Sequence, residues 1–339
     1  MDTQSNAEAG SEFRDDARRR RPLPSDVLAR MTTMNDALAW RSVALNAAAI
    51  VVLLALALVF WSTLWVPLVL LLPIALAQQA CFVLAHDAAH YRLFKSRSMN
   101  DCVGRVFATV VGISMCSYRV VHRLHHNDLY GPTDPDIALH GGYPRGRLYL
   151  LKKLARDLCG VTAPKTYGYF FGSPSINGGD GVKLNPLDDT APALRDAARR
   201  DRWLVVAFHV TAPLLAWTQG YLLEYLLLWF LPLVTVLQAV LRFRAILEHG
   251  AVTDLSSPLT AARTNLGPRW LLAVTFPHKV HYHVEHHLYP AIPHYHLPEC
   301  HAELRARGWL EYAEVAHVYA TAKRVFAARP QPSSLALDA

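Results

Sequence analysis

Nine histidines fall into four groups whose spacing suits metal binding. His86-Asp-Ala-Ala-His90 puts two imidazoles four residues apart, on one face of a helix. His122-Arg-Leu-His125-His126 and His283-Val-Glu-His286-His287 each follow an i, i+3, i+4 pattern that stacks three imidazoles on one helical face. His249 closes a long apolar segment, after Arg242-Phe-Arg-Ala-Ile-Leu-Glu248. Nine neutral imidazoles exceed the four ligands of a zinc ion, and structural zinc sites usually include Cys. They suit two metal ions, each with four or five nitrogens. Imidazole accepts Zn, Cu, Fe or Ni, so ligand type leaves the metal open.

The elements that must position these rings are membrane helices. From Ser42 to Ala85 there is no Asp, Glu, Lys, Arg or His, and from Trp203 to Leu241 only His209 and Glu224. A hydrocarbon core of about 30 Å takes roughly 20 helical residues, so each stretch holds two spans. The fold class expected is all-α integral membrane, with four transmembrane helices near 43–60, 64–84, 203–217 and 221–241. They form two hairpins beneath a helical cytoplasmic cap, and Trp61, Trp65, Trp217 and Tyr221 mark the turns at headgroup depth. The turns lack Lys and Arg, whereas Arg18 to Arg21, Arg41, the middle segment Arg92 to Arg202 and everything after Arg242 are rich in them. The positive-inside rule therefore puts both termini and the middle segment in the cytoplasm. Continued as helices to His90 and His249, the second and fourth spans are about 40 Å long at about 1.5 Å per residue. That exceeds the hydrocarbon thickness by roughly 10 Å. All nine histidines should then meet just clear of the cytoplasmic face.

Composition agrees. Of 339 residues 52% are hydrophobic and 18% charged, which excludes disorder, collagen and coiled coil as descriptions of the whole. The net charge of +7 fits anionic headgroups better than nucleic acid, because the basic residues flank the spans. Five cysteines without a CxxC read as reduced thiols facing the cytoplasm. Residues 1–40 read as a disordered or amphipathic cytoplasmic segment without an apolar signal region, 41–325 as the membrane domain, and 326–339 as a disordered tail. Gly172 to Thr190 reads as a mobile loop, and it lacks the ending of a phosphate-binding P-loop. Val103 to Met115 is apolar but too short to span, and reads as an interfacial or re-entrant helix.

The order HDxxH, HxxHH, a His closing the fourth span and HxEHHLYPxxP resembles the membrane fatty acid desaturase and hydroxylase family, over Gln78 to about His301. Asp134-Pro135-Asp136 after the second box and Leu288-Tyr-Pro-Ala-Ile-Pro293 after the third add to the likeness. The resemblance implies two non-haem iron ions on a four-helix stalk, with dioxygen as co-substrate and two electrons from outside. Carried over, one iron takes most ligands from His86, His90, His122, His125 and His126. The other draws on the second and third boxes, with His283, His286 and His287, and on His249. Where family members often carry Asn before the Tyr-His of the third box, and a polar residue one turn before the helix-four His, this chain has His281 and Ala245. His281 is thereby a candidate extra ligand. Removal of hydrogen from two neighbouring carbons gives an alkene, and insertion of oxygen gives an alcohol.

The favoured reading is a lipid desaturase acting on a fatty acyl chain, with a hydroxylase or ketolase on an acyl or carotenoid substrate as its rival on the same site. A histidine-based metal transporter or sensor is the rival of another class; transporters keep ligands near the bilayer midplane, where these spans are nearly bare. Asp87, Asp134, Asp136, Glu248 and Glu285 stand beside the boxes and could orient imidazole N–H groups. Glu224, close to a turn, is expected to snorkel, and His209 lies inside a span. His278, His294, His296 and His301 are expected at the surface. With no haem signature and no ferredoxin-like cysteines, electrons come from a separate ferredoxin or cytochrome. Arg119, Arg123, Lys152, Lys153 and Arg156 could dock that donor or bind headgroups. The Arg- and Ala-rich composition points to a bacterial inner membrane.

Overall fold

The computed structural model describes residues 22–171, 176–177, 183–187, 190–252 and 254–328. Both expected tails beyond those bounds, and most of the Gly172 to Thr190 loop, lie outside the described residues. The chain is mostly helical. Helix α1 spans Ser25–Met31, α2 Asp36–Val59, α3 Trp65–Ala89, α4 Arg97–Val110 and α5 Met115–Asn127. After a one-turn helix at Ile137–His140 come α6 Arg147–Leu158, α7 Ala163–Phe171, α8 Pro192–Thr218 and α9 Leu222–His249. The chain continues through α10 Arg269–Thr275, α11 His283–Leu288, α12 Leu297–Ala306 and α13 Val318–Val325. The only strands among the described residues form two short pairs: Ile176–Asn177 antiparallel to Lys183–Leu184, and Thr264–Leu266 parallel to Val315–His317.

Helix starts follow local chemistry. The Asn35 side chain accepts from the Ala37 and Leu38 N–H groups (3.0 and 3.3 Å) and caps α2. Ser96 and Ser114 do the same for α4 and α5. Among the described residues, three helices are long and apolar enough to cross a membrane: α2, α3 and α9. Helix α8 is also long, but Arg195, Asp196, Arg199, Arg200, Asp201 and Arg202 fill its first half, leaving a short apolar part from Trp203.

Burial divides the three apolar helices by role. Helix α2 exposes Leu45, Val51, Val52 and Val59, an apolar face suited to lipid. Helix α3 is central: it packs on α2, α4, α5 and α9, and from Gln78 to Ala89 every residue is buried. Gly104 lets α4 approach α3 closely, because a Cβ there would lie 2.7 Å from both Ala88 Cβ and Met115 Cε. Helix α9 is not regular. Its turn at Leu226–Phe230 is π-helical, ahead of Pro232, and it breaks at Thr235 (φ −126°, ψ −86°). Pro232 has no N–H and crowds the preceding turn, so carbonyls lose their helical donors. Side chains replace them. Gln78 Nε2 donates to the Trp229 carbonyl (2.9 Å), while Gln238 Nε2 and the Tyr167 hydroxyl both donate to that of Leu233 (2.7 and 3.0 Å).

Residues 22–35, ahead of α2, pack against the C-terminal part of the chain. Val27 and Met31 of α1 are buried with Tyr289, Ile292, Cys300 and Leu304, and the Leu23 N–H donates to the Tyr289 hydroxyl (2.8 Å). The α3–α4 contact yields a test. Gly104→Leu should cost about 1–3 kcal/mol through overpacking, read as a lower melting temperature of the detergent-solubilised protein beside an unchanged Gly168→Ala control, where a Cβ meets open space.

Candidate metal centre

The ends of α3, α5 and α9 and the short helix α11 bring the nine box histidines together. His86 sits in the last turn of α3 and His90 caps it; His122, His125 and His126 come from α5, His249 from the end of α9, and His283, His286 and His287 from α11. They divide into two groups. His86, His90, His122, His126 and His286 present ligand atoms within 4.8 Å of one another, as do His125, His249 and His287. His283 joins the second group, its Nε2 lying 2.8 Å from Nε2 of His249 and 3.2 Å from Nε2 of His287. In the first group, Nε2 of His126 lies 3.0 Å from Nε2 of both His122 and His286. The third box thus serves both groups.

The outer hydrogen bonds decide which nitrogens face inward. His125 Nδ1 donates to Asp134 Oδ1 (3.0 Å), and His249 Nδ1 donates to the Ala261 carbonyl (3.1 Å). In a neutral imidazole the other nitrogen is then a lone pair. Yet Nε2 of His125 and Nε2 of His249 face each other at 3.3 Å. Two lone pairs at that distance repel unless a cation or a proton lies between them. His86 is fixed likewise, Nδ1 donating to Asp87 Oδ1 (3.0 Å). Burial holds His122, His126, His283, His286 and His287 well below the usual imidazole range and His90 down at about 3, which favours the neutral ring with one bare nitrogen. His125 differs: burial pulls its value down, but the Asp134 hydrogen bond and the charge of Asp136 raise it overall.

The acidic candidates take distinct places. Asp87 bridges His86 to His294, whose Nδ1 lies 2.6 Å from Asp87 Oδ2 and whose Nε2 meets Ser42 Oγ at 2.9 Å. Asp134 also accepts from the Tyr130 and Asp136 N–H groups (both 2.9 Å). Asp136 accepts from the Tyr169 hydroxyl (2.6 Å) and lies 3.8 Å from His125 Nδ1. Glu248 pairs with Arg244 (3.3 Å) and reaches within 4.0 Å of His283 Nε2. Glu285 lies on the back of α11, bound to the Thr264 hydroxyl and His301 Nδ1 (both 2.5 Å). His281 is outside both groups, its ring against Tyr282 at 4.2 Å.

Four residues escaped sequence reasoning. His294 and His301, expected at the surface, are instead buried or nearly so and hold Asp87 and Glu285, because the chain folds back over the site after Pro293. His140, outside every box, is buried beside His249 with ring centres 4.8 Å apart. Arg263, fully buried, donates to the Leu247 and Gly250 carbonyls (3.1 and 2.9 Å), which tethers the helix end that carries His249. Helix C-terminal carbonyls always need donors, but no local pattern marks Arg263 as their source.

Of two cavities, one lies at the centre and the other among the membrane helices. One of about 70 Å³ is lined by Phe82, Tyr118, His125, His249, His283 and Glu248. The other, an apolar cleft of about 910 Å³, lies among the membrane helices against Ile50, Leu54, Cys81, Phe107, Val110 and Trp229. Phe82 packs edge-on against Tyr118 and Phe170 (5.1 and 5.2 Å between ring centres).

The chain belongs to the fatty acid desaturase family, whose sequence profile matches residues 63–319. It is 27% identical over 239 residues to a dihydrorhizobitoxine desaturase of Bradyrhizobium elkanii, covering 67% of this chain and 64% of that protein. It is 25% identical over 227 residues to a Synechocystis sn-1 acyl-lipid omega-3 desaturase (ferredoxin), covering 64% and 61%. It is 26% identical over 253 residues to an endoplasmic-reticulum omega-3 fatty acid desaturase of Vigna radiata, covering 65% and 60%. The match therefore spans less than two thirds of each relative's length.

Asp87→Ala removes the acceptor that fixes His86 and His294. Outer-shell changes of this kind cost about 10–100-fold in metal affinity. If the two groups each hold a metal ion, chelator competition on the purified protein should show such a loss at one of them, with helical content unchanged.

Proposed function

We propose that this protein is a membrane-bound, dioxygen-dependent di-iron desaturase that introduces a double bond into a fatty acyl chain. The observation that carries the reading is the pair of imidazoles His125 and His249, whose Nδ1 atoms are engaged outward and whose Nε2 atoms face each other at 3.3 Å. Nine such rings on four elements suit two cations, and iron is a metal that imidazole accepts. His86, His90, His122, His126 and His286 would hold one, and His125, His249, His283 and His287 the other. Bound iron would supply dioxygen reduction and hydrogen removal from an unactivated carbon, chemistry no protein side chain performs alone.

The chain's own residues do the rest. Asp87, Asp134 and the Ala261 carbonyl fix ring orientation, so the inward nitrogens need no rearrangement on loading. Phe82, Tyr118 and Phe170 close the centre off with apolar surface, which limits water at the reacting carbon. The large apolar cleft suits a lipid tail, and Cys81 lines it next to Phe82, which lines the small cavity. The relatives' names support a desaturase rather than a hydroxylase, and that of the Synechocystis protein supports a ferredoxin-type donor. A groove beside His90, His122 and His126 carries Arg119 and Arg123, suited to an acidic donor. Four spans, with α8 as the third and the histidines on the cytoplasmic side of a bacterial inner membrane, complete the reading.

Lipid mass spectrometry of a host expressing the protein decides the reaction. Loss of two hydrogens from an acyl chain is expected; gain of one oxygen would make the enzyme a hydroxylase. Purified protein should hold two irons per chain, and loosely exchanging zinc without activity would favour a transporter. His125→Ala should abolish product formation while the protein still purifies folded, and unchanged product would reject the assigned centre.

A further inference from the structure

The two groups of imidazoles are unequal, five in one and four in the other, and a tenth histidine lies beside the smaller. His140 ends the one-turn helix after Asp136 and is only 1% exposed. Neither of its ring nitrogens has a hydrogen-bond partner among the described residues. A neutral imidazole carries one donor and one acceptor, so burying both unpaired is unfavourable unless something absent from the protein chain meets them. Nε2 lies 3.6 Å from Asp134 Oδ2, beyond a proper hydrogen bond but close enough to form one after a small rotation. The ring centre is 4.8 Å from that of His249 and 5.7 Å from that of His125. Rings already in the group show similar separations: 4.6 Å for His249 and His283, 5.1 Å for His125 and His287. His140 also lines the same small cavity as His125, His249 and His283.

We propose that His140 is a fifth nitrogen ligand of the metal position formed by His125, His249, His283 and His287. Its Nε2–H donates to Asp134, and Nδ1 faces the metal. Asp134 then orients two ligands at once, His125 through Oδ1 and His140 through Oδ2. This arrangement repeats the carboxylate–histidine–metal pattern in which the second nitrogen fixes the first. It would also equalise the two positions at five imidazoles each. The inference rests on the metal-centre reading above.

The test uses the full chain in detergent, stripped of metal and reloaded anaerobically with Co²⁺, whose visible ligand-field bands report coordination number without any turnover. Wild type, His140→Ala and His140→Phe are compared for metals per chain, band position and intensity, and affinity by chelator competition. In both variants one of two cobalt ions should bind about 10–100-fold more weakly, with altered bands. Added imidazole should restore the wild-type bands in His140→Ala, where the ring's space is vacant, and not in His140→Phe, where it is filled. Variants that keep both ions with wild-type bands and affinity overturn the proposal, and His140→Phe alone suffices for this if His140→Ala does not fold. Three cobalt ions in wild type, one of them lost with His140 while the other two keep their bands, would overturn it too, by placing a separate ion on His125, Asp134 and His140. If wild type binds no stoichiometric metal at all, the proposed function itself fails.

Discussion

The structure depends on holding buried imidazole nitrogens against one another. A buried ring is content with one donated and one accepted hydrogen bond, yet here the donated bonds go outward, to Asp87, Asp134 and the Ala261 carbonyl. The inward Nε2 of His249 is left 3.3 Å from Nε2 of His125, whose Nδ1 likewise donates outward, and 2.8 Å from Nε2 of His283. Repulsion of this kind persists only where the surrounding fold over-determines the rings, the condition under which strain collects at functional sites. A cation turns the same contacts from costly to favourable, so metal binding and local stability are linked through the same atoms.

The restraint comes from ordinary fold physics. The last turn of α3 is buried on all sides, so His86 and Asp87 have no freedom to swing. Helix α9 must bring His249 to the same level, and its π-helical turn and break set the phase of the residues that follow. The cost of those interruptions is offset by Gln78, Gln238 and Tyr167, which satisfy the freed carbonyls. Arg263 then fixes the far end, and its own charge is balanced by Glu314 at 3.0 Å. A buried arginine without that carboxylate would be expensive. Helix α1 and the segment after Pro293 close over the opposite side, where Tyr289 accepts from the Leu23 N–H and His294 reaches Ser42 of α2.

Much of the centre was legible because helical periodicity is local. The i, i+3, i+4 spacing puts His122, His125 and His126 on one face whatever the tertiary structure, and span length alone lifts His86 and His249 to a common level. The outer partners of Asp87 and Glu285, by contrast, are set by where the chain returns. His294 and His301 read as surface residues because they follow a proline-rich turn, and only the fold brings them back to carboxylates more than a dozen residues away. His140 carries no spacing signal at all. The division of rings between two groups was also out of reach, since His286 and His287 are adjacent in sequence but fall in different groups. The third expected span is the exception: composition changes at Trp203, but the apolar part of α8 that follows is short, and the charged half continues it as one helix.

The two cavities sharpen what α3 does on the desaturase reading. Cys81 borders the apolar cleft, Phe82 the small cavity beside the histidines, and His86 follows one turn later. At 1.5 Å per residue, Cys81 and His86 are about 7.5 Å apart along the helix axis. A lipid tail resting in the cleft would therefore meet the centre at a depth fixed by a rigid element, with no loop in between. The position of bond formation along the chain would then be measured from the cleft wall, and the wall at that level is Cys81, Phe107, Val110 and Trp229. On that reading, changing the size of these side chains would shift where the tail stops without touching a histidine, which would separate choice of carbon from the chemistry performed on it.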